Sequence, residues 1–151
     1  MTTTAPPSEA QTFTITEEIA VRASRERTFA SLLAQMGRLN ETPEGAPLPL
    51  ILETRPGGRW YRDLGGDNGH LWGFVQSIKR SELLEIWGPL FMSSGATSNL
   101  LYRLTETPEG TLITFTHTLV GPFPEDHRSR LTTGWAKLHA RVRNAAESAA
   151  D

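Results

Sequence analysis

The 151 residues, 38% hydrophobic and 21% charged, have the proportions of one soluble globular domain large enough to bury a core of its own. Fifteen Lys and Arg against seventeen Asp and Glu leave a formal charge of −2, which argues against a nucleic-acid binder and against a polybasic membrane-surface protein. Without cysteine there is no disulfide, thiolate metal site or cysteine nucleophile, and with no apolar run of ~18 residues and a polar start that has neither a basic nor an apolar stretch, no membrane span or signal peptide is read, so a cytoplasmic protein is expected.

Residues 1–11 hold three Thr, two Pro and a Ser, and read as a disordered tail ahead of a single domain over 12–150. The alternation that follows predicts a strand over 11–22, with Phe13, Ile15, Glu17 and Ile19 on one face and Thr12, Thr14 and Thr16 on the other. Ser24 is placed to cap a helix over 25–36, where Phe29, Leu32, Leu33 and Met36 fall at helical spacing and Gly37 is the stop. Residues 38–47 carry two Pro and a Gly and read as loop.

Short strands with turns between them come next: 48–54, 59–64, 70–79, 82–87, 97–106 and 111–120. Asn68-Gly69 reads as the tip of the second hairpin, because both residues accept positive φ. Residues 88–96 are irregular, and Pro89-Leu90-Phe91-Met92 is the chain's best candidate for an apolar surface patch, a lid or a dimer contact. A long helix over 125–149 closes the chain, with Leu131, Trp135, Leu138, Val142 and Ala145 as its apolar stripe and Glu125 and Asp126 at its opening. Strands joined by short turns are antiparallel, and a one-faced sheet needs a cover. The expected architecture is therefore α+β: a curved antiparallel sheet of about six to seven strands wrapped around the C-terminal helix.

Particular segments sharpen this reading. Arg55-Pro56-Gly57-Gly58-Arg59-Trp60, then Leu83-Leu84-Glu85-Ile86-Trp87 after a strand holding Gly73, then the pair Leu100–Glu106 and Thr111–His117, then Gly134-Trp135 in the last helix, resemble in order the homologues of the activator of heat-shock-protein-90 ATPase. The chain is thereby similar to the SRPBCC (START-like, helix-grip) domains over residues 12–148. The resemblance implies a deep cavity between sheet and final helix that takes a small hydrophobic or aromatic molecule. The chain departs from the pattern at 37–50, where relatives carry Trp-Trp and this sequence has no Trp. It also lacks the separate N-terminal domain of the eukaryotic co-chaperone, so a chaperone-activating role does not carry over.

In such a cavity Trp60, Trp87, Tyr102 and Phe115 are the expected wall and Trp135 the cap from the helix, with the face of Trp72 left open. His117 alternates with Ile113 and Phe115, so it points inward; it is the candidate polar anchor and the candidate catalytic acid or base. Arg62 shares the side of Trp60 and is a candidate for an anionic ligand group, or else pairs with Asp63, Asp67 or Glu85. His139 reads as a helix-flank residue. His70, His117, His127 and His139 share no metal-ligand spacing, and no cofactor is implied. Three readings of function stand: a small-molecule binder; an enzyme of the polyketide cyclase/aromatase or hydratase type using His117; and a protein-interaction module. Neither nucleic acid nor membrane is an expected partner, and a homodimer is left open.

Overall fold

A computed structural model describes residues 11–91 and 93–149. The expected tail lies outside the described residues except for Gln11, and so does Met92. The elements run β1 (Thr12–Val21), α1 (Arg25–Met36), β2 (Ile51–Leu52), β3 (Arg59–Gly65), β4 (Asn68–Lys79), β5 (Leu83–Gly88), β6 (Thr97–Thr107), β7 (Gly110–Val120) and α2 (His127–Ser148). The seven strands form one sheet, ordered β1-β7-β6-β5-β4-β3-β2, and every pairing is antiparallel.

Local chemistry explains the ends of the elements. Ser24 Oγ accepts from the Arg27 amide at 3.1 Å and caps α1. The strand expected over 48–54 shrinks to Ile51–Leu52, because Pro49 removes a ladder donor within that stretch. The second hairpin turns one step earlier than expected. The positive-φ residues are Gly65, Gly66 and Asp67, while Asn68 and Gly69 already belong to β4. Asn68 still serves the turn, since its Nδ2 donates to the carbonyls of Gly65 and Gly66 at 3.1 and 3.2 Å. A Cβ at Gly69 would stand 2.2 Å from the Arg62 carbonyl, so that position admits no side chain.

Two bulges bend β4. Trp60 faces Gly73 while Tyr61 faces Leu71, and Val75 faces Ile86 while Ser77 faces Glu85. Trp72 and Gln76 are thus extra residues, and bulges increase local bend and twist. The bent sheet holds α2 on its concave side, and α1 packs beside it. Arg27 ties the two helices by donating to the carbonyls of Ala146, at 2.7 Å, and Ala149, and Ser31 Oγ donates to Val142 O at 2.7 Å.

The stripe of α2 is wider than the sequence periodicity suggests. Leu131, Trp135, Leu138 and Val142 are buried as expected; Ala146 takes the place of the exposed Ala145, and His127 and His139 are buried too. No described helix is long and apolar enough to cross a membrane.

Candidate functional site

The inner face of the sheet carries the polar chemistry. On β7, Ile113, Phe115, His117 and Leu119 point inward; on β6, Ser98, Leu100, Tyr102 and Leu104 do. Phe115 is at the centre, with its ring 4.7 Å from Tyr102, 5.1 Å from Trp135 and 4.6 Å from His139. Where the resemblance implies a deep cavity, the rings of Tyr102, Phe115, Trp135 and His139 pack on one another between sheet and α2.

His117 is fully buried with both ring nitrogens engaged. Trp135 Nε1 donates to Nδ1 at 2.9 Å, and Nε2 lies 2.8 Å from Ser98 Oγ. Burial, with a smaller push from the nearby His127, brings its pKa down to about 4, so the ring is neutral at pH 7. Both nitrogens of His117 are thus engaged within the protein, and its two partners are Trp135 and Ser98.

A second buried imidazole crosses the same interface. His139, expected on a helix flank, is fully buried because the curved sheet reaches around α2. Its Nδ1 donates to Glu17 Oε1 at 2.5 Å, and its Nε2 lies 2.8 Å from the Tyr102 hydroxyl. Burial, and next the charge of Glu17, push the Tyr102 phenol well above its usual pKa. Glu17 also lines a cleft of about 200 Å³ between β1 and α2, with Glu18, Ala136, Ala140 and Arg143.

Two expected site residues lie elsewhere. Trp87 is 45% exposed on the outer face, 5.3 Å from the Phe74 ring. Leu84, Ile86 and Gly88 take the inner positions of β5, so Trp87 cannot. Arg62 is exposed, as is all of 62–69, because the hairpin of β3 and β4 projects past the layer that would cover it. Trp60 is buried, but its Nε1 donates to Met36 O at 2.7 Å, which ties β3 to the end of α1. Trp72 is inward, packed edge-on against Trp60 at 5.2 Å.

At one end of the sheet the rings form an arc. It runs from Trp72 to Phe91 (5.5 Å), His127 (6.3 Å), Phe13 (6.5 Å), His117 (5.7 Å) and Trp135 (5.6 Å). β4, the 89–96 segment, α2, β1 and β7 each contribute. Phe91 is 42% exposed, whereas Leu90 beside it is fully buried at φ +60°. Trp72 is only 8% exposed, and its Nε1 is buried with no hydrogen-bond partner among the described residues. No group of three or more His, Asp or Glu among the described residues is placed to hold a metal ion.

Several of these residues left a signal in the sequence. Glu17 falls in phase with Phe13, Ile15 and Ile19, and a carboxylate on an apolar face needs a buried partner. Ser98 falls in phase with Leu100 and Tyr102. Phe91 was marked only as part of the apolar stretch 89–92, and nothing in the sequence singled out His127.

Neither a family model nor a curated protein matches the chain. Solved structures do. A protein from Chromobacterium violaceum superposes with a TM-score of 0.71 at 16% identity, over 90% of this chain and 98% of that one. Ara h 8.0201 gives 0.66 at 13% identity, over 92% and 100%. The Aha1 dimer from Colwellia psychrerythraea gives 0.64 at 16% identity, over 90% and 97%.

The chain has the START/Bet v-like helix-grip fold. Its seven-stranded sheet is the grip and α2 is the gripped helix.

Proposed function

We propose that this domain binds a small, flat, mostly apolar molecule within the arc of rings at the end of the sheet. The observation that carries the reading is Trp72 Nε1, a donor buried inside that arc without an acceptor. Such a group costs about 1–3 kcal/mol when left unpaired, so an acceptor on a bound molecule would relieve that cost. The surrounding rings supply the apolar walls typical of small-molecule sites. Phe91, the most exposed ring of the arc, is the one free to swing aside.

The test is native mass spectrometry of the purified protein, followed by thermal shift against planar aromatic compounds. A co-purified aromatic molecule, or a rise in Tm that grows with ligand concentration, is expected; one-site binding at 100 Kd adds about 2.7 kcal/mol. No bound molecule and no shift with any planar compound sinks the reading. His117, wired at both nitrogens, lends no support to catalysis.

A protein-interaction reading has its own observation. Trp87 and Phe74, with Leu71 and Ile51 at 39% exposure each, make an apolar strip on the outer face of the sheet. Its charged neighbours are already paired within the chain: Arg59 donates to Glu53 through Nε and Nη2, and Glu85 accepts from Ser77 and Asn99. A second copy would cover the strip without burying an unpaired charge. Sedimentation velocity from 1 to 100 μM (on the order of ordinary homodimer affinities) decides: a monomer throughout removes this reading.

A further inference from the structure

We propose that the cleft between β1 and α2 binds a small zwitterionic α-amino acid, its ammonium held by Glu17 and Glu18 and its carboxylate by Arg143. The cleft shares no residue with the arc of rings, so this site is separate from the one proposed above.

The cleft brings opposite charges together without pairing them. On α2 its lining is Ala136, His139, Ala140 and Arg143, the spacing of one helix face. His139 Nδ1 donates to Glu17 Oε1 at 2.5 Å, which fixes the Glu17 carboxylate at the level of His139. Its Oε2 is left without a hydrogen-bond partner among the described residues. Arg143 follows His139 by one turn of the same face, about 5–6 Å between Cβ atoms. Arg143 and Glu18 are exposed, and among the described residues neither side chain has an ion pair or a hydrogen bond.

The backbone of β1, the last strand of the sheet on this side, adds an acceptor. The Gly121 amide donates to Gln11 O, so Gln11 and every second residue after it turn amide and carbonyl toward β7. The residues between them turn both groups to the free edge. Two contacts agree with that phase: Arg128 donates to Thr14 O at 3.3 Å, and the Arg22 amide donates to Glu147 Oε2 at 2.9 Å. Glu18 and Ala20 share the phase and line the cleft. The Glu18 carbonyl thus joins the Glu17 and Glu18 carboxylates as an acceptor, and an ammonium group has several N–H donors to give them.

Charge and size select the ligand. A bare cation would meet the Arg143 guanidinium and a bare anion would meet two carboxylates, whereas an α-amino acid offers each group its opposite. Both charged groups of an α-amino acid sit on one carbon, which suits a carboxylate and a guanidinium about one helical turn apart. The cleft holds about 200 Å³, room for about six or seven atoms at ~30 Å³ each, the share of a water molecule in the liquid. Ala20, Ala136 and Ala140 line it with methyl groups, which suits a side chain as short as that of alanine.

NMR titration of the full chain with L-alanine, L-alaninamide and N-acetyl-L-alanine tests this, because the amide lacks the carboxylate and the acetyl compound lacks the ammonium. L-Alanine is expected to bind at least about five-fold more tightly than either, the worth of one net hydrogen bond, and to shift the amide signals of Glu18, Ala20 and Ala140. Glu17→Gln keeps an oxygen to accept from His139 Nδ1, and Arg143→Gln alters an exposed side chain. Each should weaken L-alanine binding at least about five-fold and keep the dispersed spectrum of the folded protein. Where Glu17→Gln disturbs the fold, Arg143→Gln decides. Equal binding of L-alaninamide would make the cleft an amine site, such as a peptide N-terminus would fill, and overturns the inference. Equal binding of N-acetyl-L-alanine, no saturable shift with L-alanine, or full affinity in a folded variant overturns it too. None of these results bears on the arc of rings, whose probes are planar aromatic compounds.

Discussion

Two imidazoles bridge the sheet and α2, and they are wired in opposite senses. His117 belongs to the sheet and receives its hydrogen bond from the helix, through Trp135; its chain ends on a buried Ser98. His139 belongs to the helix, and its chain runs from the buried Tyr102 to the half-exposed Glu17. One chain stays wholly inside the protein, beside the arc of rings. The other ends on a carboxylate that faces a cleft open to solvent. The two buried imidazoles thus belong to two separate hydrogen-bonded chains, one internal and one reaching the surface. Every ring nitrogen of His117 and His139 has a partner in these two chains.

The most severe way to break this comparison is at Trp135, which serves the first chain and packs on Phe115 as well. Trp135→Ala is expected to cost about 3–5 kcal/mol in urea denaturation, from lost burial and an unpaired His117 Nδ1. A cost below about 1 kcal/mol would mean that this end of α2 is not packed as described.

Acid separates the chains next. Between pH 6.5 and about 4 the unfolded chain binds a proton at His117 that the folded chain refuses. The contribution of His117 to stability is therefore complete above pH 6.5 and is lost as pH falls through that window, by about 3 kcal/mol at most. His127, also lowered mainly by burial, adds a slope of the same sign. Urea midpoints from pH 7 to 4 should fall for the wild type and fall less for His117→Gln; equal slopes would show that His117 is not buried neutral.

Tyr102→Phe tests the second chain alone. It removes the hydroxyl that meets His139 and should cost about 1 kcal/mol while leaving the acid slope of His117 unchanged. A changed slope would mean that the two chains are coupled. The smallest effect belongs to the outer face, where Trp87→Ser should shift the urea midpoint by less than about 0.5 kcal/mol of stability. A larger loss would place Trp87 in the core after all.

Period explains how much of the fold was legible. Alternation placed Phe13, Ile15, Glu17 and Ile19 on one face of β1, and Ile113, Phe115 and His117 on one face of β7, and both groupings hold. It failed at Trp87, because Leu83-Leu84-Glu85-Ile86-Trp87 has apolar residues in both phases and neither phase declares itself. It failed differently at Arg62, whose phase matches that of Trp60 but whose stretch of β3 lies beyond any covering layer. His139 was misplaced because a stripe of width suited to one flat contact underestimates a helix held on several sides.

Taken alone, then, the sequence determined the order of elements, the caps and breaks set by Ser24, Gly37 and the prolines, and the α+β architecture. Each of those follows from local backbone preference or from a repeat of two or 3.6 residues. The tertiary structure alone decided that His117 and His139 are both wired, and that the Trp72 indole N–H is buried without a partner among the described residues. Hydrogen-bond direction depends on which donor meets which acceptor across β6, β7 and α2, residues up to 37 positions apart, and no local rule reaches that far.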